Sequence, residues 1–212
     1  MDAKFWLERW QSGQIGFHAS EANPLLLAHF AALDLSADAR VFVPLCGKTR
    51  DIAWLLSQGH QVVAVELSQL AIDQLFAELE VVPEISAEDD LLRYHAPGLT
   101  VFVGDFFALT PDLLGRADAI YDRAALVALP PEMRPRYAEH LMFLTARAPQ
   151  LVICFSYDQN LHAGPPFSVE AAEVSRLYGA GYYIALLADQ PAKGGLRGDP
   201  AREMVWHLQR RD

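Results

Sequence analysis

Residues 41–49 read VFVPLCGKT, and how this stretch is read decides the fold. Val41-Phe42-Val43 is a branched and aromatic run suited to a strand covered on both faces, and a turn with a single glycine follows it. Gly47-Lys48-Thr49 is the closing half of a phosphate-binding loop of pattern G-x-x-x-x-G-K-[ST]. Phe42, however, holds the place of the opening glycine, and Pro44 stands in the middle. Such a loop works by wrapping backbone amides around phosphate oxygens. A mid-strand Phe42 cannot open the wrap, and Pro44 removes an amide donor. A dinucleotide turn asks for G-x-G-x-x-G, and only Gly47 is available. The strand-turn-helix order survives this test, and the phosphate cradle fits it poorly.

Outward from that turn the chain alternates strand-like and helix-like segments. Strands are expected at 40–45, 61–67, 99–104, 118–122, 151–157, 182–188 and 203–209, and helices at 49–58, 68–79, 131–146 and 168–178. Ser68 and Ser168 read as helix N-caps, and Gly59 as the stop of the first of these helices. Parallel neighbours need helical crossovers, so the order predicts an α/β, mainly parallel, seven-stranded sheet. The short Gly/Pro-rich connection at 189–202 makes the last two strands an antiparallel hairpin, giving the sheet an antiparallel end strand. The acidic stretch EISAEDD (84–90) reads as a solvated loop. No linker marks a second domain, so residues 1–212 are expected to form one, with 1–35 as an N-terminal segment and 36–212 as the α/β core.

Composition narrows the function. With 212 residues, 52% hydrophobic and 21% charged, the chain is long and apolar enough for a substantial core. Its formal charge of −10, with no basic stripe, argues against nucleic acid or an anionic membrane as partner. MDAKFWLERW lacks the apolar core of a signal peptide, and no run approaches the length needed to span a bilayer. Cys46 and Cys154 have neither metal-site nor disulfide spacing and read as buried small hydrophobes. A cytoplasmic, reduced, monomeric protein without a bound metal is expected.

Ligands of open α/β sheets bind outside the carboxyl ends of strands, where residues 44–48 fall. A turn unsuited to phosphate still suits a phosphate-free nucleoside, S-adenosylmethionine, which asks for one small residue at its amino-acid end. That role falls to Gly47. The ribose diol wants a carboxylate, and Glu66 ends the second strand 19 positions after Gly47, close to the separation used for ribose in dinucleotide folds. In GDFF, Asp105 can accept from the adenine amino group while Phe106 lines the ring. Trp6 and Trp10, spaced i,i+4, lie on one face of an N-terminal helix, which reads either as a core anchor or as a lid.

The motifs FWLERWQSGQIGFH (5–18), VPLCGKTRDIAWL (43–55), VVAVELS (62–68), VGDFFAL (103–109), YDRAAL (121–126) and SYDQ with GPPFSV (156–169) together resemble the thiopurine S-methyltransferases, particularly the bacterial type. The resemblance implies a Rossmann-like methyltransferase fold, S-adenosylmethionine as donor, and transfer to the sulfur of aromatic or heterocyclic thiols, with selenium and tellurium compounds as further acceptors. It implies cofactor contacts from Trp10, Leu45, Glu66, Asp105, Phe106 and Arg123, with Gly47 and Leu67 beside them, and Phe17 facing the acceptor. The likeness fades at 188–203, where the family carries acceptor-side residues.

Methyl transfer from a sulfonium to a thiolate annihilates charge, so alignment and water exclusion should suffice. His18 and Asp122 are candidate bases by position only. Arg123 is the expected catalytic group, stabilising an anionic acceptor, unless an ion pair to Asp105 or Asp122 occupies it. Pro165-Pro166 stiffens a loop, so that Pro166 becomes a wall against a flat acceptor ring. Two rival readings remain: a phosphotransferase built on Gly47-Lys48-Thr49 and Asp122, and a non-catalytic module that binds S-adenosylmethionine.

Overall fold

The computed structural model describes residues 3–212. In chain order its elements are α1 (Ala3–Gln11), α2 (Pro24–His29), β1 (Arg40–Pro44), α3 (Arg50–Ser57), β2 (Gln61–Glu66), α4 (Gln69–Glu78), β3 (Glu84–Glu88), β4 (Leu91–Ala96) and β5 (Leu99–Val103). There follow α5 (Pro111–Leu114), β6 (Ala119–Arg123), α6 (Arg134–Leu144), β7 (Gln150–Tyr157), α7 (Ala171–Tyr178), β8 (Tyr182–Pro191) and β9 (Ala201–Arg210). The strands form one nine-stranded sheet in the order β3-β4-β5-β2-β1-β6-β7-β9-β8. The five from β5 to β7 are parallel, and β4 and β9 join them antiparallel.

All seven expected strands are present, and the last two pair as the expected hairpin. The expected count of seven is corrected to nine, since β3 and β4 add a hairpin at one edge where the acidic stretch was read as a loop. Residues 84–88 are β3, which pairs antiparallel with β4 instead of forming a solvated loop. Its side chains are almost all exposed, which is why its sequence lacks the alternation of a half-buried strand. The partner β4 turns Tyr94 and Ala96 into one core and Leu91 into the other, so it too departs from simple alternation.

The caps show why the helices start where they do. Ser68 Oγ accepts from the Ala71 amide at 3.3 Å, and Thr49 Oγ1 accepts from Asp51 at 3.3 Å, closing the turn after β1 into α3. Gly59, with φ +87°, ends α3 as expected. Ser168 does not cap α7, which starts from Glu170 without a side-chain cap. Instead its hydroxyl accepts from the Tyr157 amide at 3.0 Å and ties the preceding loop to β7. Two apolar cores pack on the two faces of the sheet, one around Phe42, Phe102 and Tyr137, the other around Val41, Ile52 and Tyr121. Cys46 and Cys154 are buried free thiols, and burial pushes both well above the ordinary range.

The direction of winding reverses beside β1. The crossovers from β1 run to β2 and then β5, while β6 and β7 lie on the other flank. The carboxyl ends of β1 and β6 therefore part at a switch point, where an open α/β sheet leaves its crevice.

Candidate functional site

A crevice of about 850 Å³ opens at that switch point, within the range of small-molecule sites. Its floor comes from strand ends: Leu45–Thr49 after β1, Glu66 and Leu67 after β2, Asp105–Phe107 after β5, and Arg123 after β6. Leu45 (φ +46°) and Ala124 (φ +67°) are left-handed although neither is glycine, one on each side of the switch point. Such backbone persists only where its surroundings over-determine it, and it gathers at functional sites.

Gly47 has φ +52°, and a Cβ there would come 3.1 Å from the Trp10 ring. The glycine thus lets α1 lie on the turn. Glu66 is buried, and its two oxygens accept from the Gly47 amide at 2.8 Å and the Ser68 amide at 2.9 Å. Burial raises its carboxyl above the ordinary value, and these backbone bonds partly offset the rise. Each oxygen retains acceptor capacity, which is what a vicinal diol requires.

Lys48 takes no part in a phosphate cradle. Its ammonium is 2.7 Å from Glu78 of α4, which Arg50 also reaches at 3.2 Å. Charge that a phosphate loop would aim at its ligand is spent on a neighbouring helix, and the phosphotransferase reading loses its cation.

Asp105 is exposed at the rim, one oxygen accepting from the Phe107 amide at 3.0 Å. Phe106 is buried, its ring 5.0 Å from that of Tyr137. Over the opposite side, Phe17 meets Trp6 and Trp10 edge-on at 5.9 and 5.6 Å. Pro165 and Pro166 close another wall, where Pro166 accepts the Tyr157 hydroxyl at 2.6 Å. Arg134, buried, holds the same loop through the Ser168 carbonyl at 3.1 Å.

The two candidate bases differ. His18 lines the crevice, and burial followed by the Lys48 charge lowers its pKa, so it is neutral near pH 7. Asp122 is fully buried, accepting from the Tyr137 hydroxyl at 2.7 Å and the Leu126 amide at 3.2 Å. It fixes the turn behind Arg123 and does not line the crevice. Arg123 pairs with neither Asp105 nor Asp122. Among the described residues its side chain makes no hydrogen bond or ion pair, and it lines the crevice.

All the residues singled out from the sequence as cofactor or acceptor contacts, from Trp10 to Pro166, thus border one cavity. What the sequence did not reveal is the far wall: Phe155 on β7, Leu196 and Arg197 in the β8–β9 loop, and Glu203 on β9. The available signal was an acidic residue at the start of an otherwise apolar strand, but its facing depends on the β7–β9 register, which puts Glu203 opposite Phe155.

A profile of the thiopurine S-methyltransferase family matches residues 1–206 of this sequence. The chain belongs to the thiopurine S-methyltransferase family. Two relatives carrying the name thiopurine S-methyltransferase are similar along their whole length. That of Xanthobacter autotrophicus is 57% identical, covering 99% of this chain and 100% of its own. That of Gluconobacter oxydans is 48% identical, covering 98% and 97%. Among solved structures, the 1,6-didemethyltoxoflavin-N1-methyltransferase of Burkholderia thailandensis, with bound 1,6-didemethyltoxoflavin and S-adenosylhomocysteine, superimposes with a TM-score of 0.64 at 18% identity, covering 98% of this chain and 87% of that one. An S-adenosylmethionine-dependent methyltransferase of Anabaena variabilis gives 0.62 at 13%, covering 99% and 95%. These distant likenesses establish the Rossmann-like methyltransferase fold.

As a thiopurine S-methyltransferase family member the protein is an enzyme, and its methyl donor is S-adenosylmethionine. The residues present fit that donor. Gly47 keeps the turn free of a Cβ, Glu66 offers a buried carboxylate beside it, and Lys48 is withdrawn. No helix of the described residues is long and apolar enough to cross a membrane.

Proposed function

We propose that the enzyme methylates the sulfur of aromatic and heterocyclic thiols, with selenium and tellurium compounds as further acceptors, working as a cytoplasmic monomer. The supporting observation is an unpaired Arg123 in an aromatic- and proline-walled crevice whose other end holds the Gly47–Glu66 contact. Bound S-adenosylmethionine supplies a methyl group on a positively charged sulfur. Glu66 accepts the ribose hydroxyls and Asp105 the adenine amino group, while Phe106, Leu67, Leu45 and Trp10 enclose the nucleoside and Gly47 admits its amino-acid end. Phe17 and Pro166 bracket the flat acceptor, with residues 1–35 as lid segment over a core of residues 36–212.

Arg123 stabilises the thiolate form of the acceptor and orients it. Because charge disappears along the reaction, a dry crevice favours it, and the rings of Trp6, Trp10 and Phe17 exclude water. Incubation with labelled methyl donor and a panel of aryl thiols, heterocyclic thiols, selenite and tellurite tests the assignment. S-methylated products are expected, and binding of the donor without any methylated product would overturn it. Arg123→Ala should lower kcat/KM mainly for weakly acidic thiols; equal losses across acceptors of differing thiol pKa would remove Arg123 from the role.

A further inference from the structure

The far wall of the crevice holds a group with no assigned task. Glu203 lies on β9 opposite Phe155 of β7, and β7 in turn pairs Ile153 with Arg123 of β6. In a pleated sheet, partners across strands share a face and alternate residues along a strand do too. Arg123, Ile153, Phe155 and Glu203 therefore present one surface to the crevice, and all four line it. Arg123 and Glu203 stand two strand spacings apart and two residues out of register, because Ile153 pairs with Val205, which makes about 12 Å between backbones. They do not close into an ion pair, and among the described residues neither side chain makes a hydrogen bond. The Glu203 carboxylate opens on the crevice, where it can accept from a ligand that enters.

We infer that Glu203 is a catalytic residue for one subset of acceptors: heterocycles in thione form, carrying a ring N–H beside the C=S group, whose N–H proton it accepts as the sulfur is methylated. This rests on the thiol-methylation reading above. Heterocyclic thiols with an adjacent ring nitrogen exist largely as such thiones, so their sulfur is a poor nucleophile until the proton leaves. In the step assigned here the N–H proton passes to the Glu203 carboxylate. The N–H electron pair forms a ring C=N bond, and the C=S π pair moves onto sulfur. A sulfur lone pair forms the new C–S bond to the methyl carbon, and the old bond breaks with its pair going to the donor sulfur, leaving neutral S-adenosylhomocysteine. Glu203 then returns its proton to solvent. Arg123, on the other side of the ring, stabilises the sulfur as it gains charge. Burial lifts the Glu203 carboxyl above its ordinary value, with Arg123 pulling it partly back, which brings it nearer the basicity a proton acceptor needs.

The test compares two acceptor classes in wild type and Glu203→Gln: a thione with an adjacent ring N–H, and an aryl thiol with no ring nitrogen. The variant should lose about 100-fold in kcat/KM on the thione, the lower end of what positioned proton transfer contributes, and keep its rate on the aryl thiol. Equal losses on both, or no loss on the thione, would overturn the inference while leaving thiol methylation standing. A wild type inactive on both classes would fell that reading and this one with it. Titration calorimetry with S-adenosylhomocysteine verifies that the variant holds its cofactor site. Should it not, wild type alone decides: its kcat/KM on the thione should level off well below the pH at which the free thione ionises, as a protein base requires. A rate that rises with the thione's own ionisation would overturn the assignment.

Discussion

Asp122 is wholly buried, and its carboxyl is pushed up from 3.8 to about 6 by burial, against the pull of the Tyr137 hydroxyl and the Leu126 and Ala125 amides. The folded state therefore holds this proton more tightly than the unfolded chain. Its contribution to stability is full below about pH 4 and is lost as pH rises through about 6, a decline of about 3 kcal/mol for a shift of this size. Asp122→Asn should flatten the stability curve between pH 4 and 6 in denaturant titrations; an unchanged slope would show the carboxyl to be ionised throughout. Gly47 makes a different demand on the chain. Its φ is +52°, and the Trp10 ring lies 3.1 Å from where a Cβ would stand, so any side chain there is strained by conformation and by contact. Gly47→Ala should cost about 1–2 kcal/mol in chemical unfolding and weaken S-adenosylhomocysteine binding in calorimetry, while a silent substitution would show that the turn adapts. Residue types at both positions were readable from the sequence. The role of Asp122 was not, because only the fold brings Tyr137, fifteen residues on, to its carboxylate.

α1 and the loop after it lie over the crevice through Trp10 on Gly47 and the Trp6–Phe17–Trp10 ring cluster. The next anchor lies beyond them. The Asn23 amide donates to buried Asp51 at 2.7 Å, Tyr121 donates to the other Asp51 oxygen at 2.9 Å, and the Asn23 side chain caps α2. Deleting residues 1–17 removes the cover and spares this anchor. Circular dichroism should report a retained fold and assays a loss of turnover of about 100-fold, the scale of misplacing reactants; full activity would exclude a lid. Element types and order were legible because strand and helix periods differ and because Ser68, Gly59 and the turn after β1 mark boundaries. β3 escaped because an edge strand exposed on both faces has no apolar pattern to read.

Ligand and fold are linked across the whole molecule, since the crevice draws on all five parallel strands and on β9. S-adenosylhomocysteine at about 100 times its Kd should add about 2.7 kcal/mol of stability, raising Tm by about 5–10 °C for a chain of this size. ATP with magnesium should leave the melting curve in place, and a shift with ATP alone would restore the phosphate reading. The sequence by itself determined the α/β alternation, the poor fit of the first turn to phosphate and the near wall of the crevice, because each follows from neighbours in the chain: Pro44 and Phe42 beside Gly47, and Glu66 at a strand end. Only the tertiary structure decided that Lys48 is bound by Glu78, that the Arg123 side chain stays unpaired, and that Glu203 shares its sheet face two strands away. These depend on strand order and antiparallel register, and a slip of one residue in that register would turn Glu203 to the opposite face.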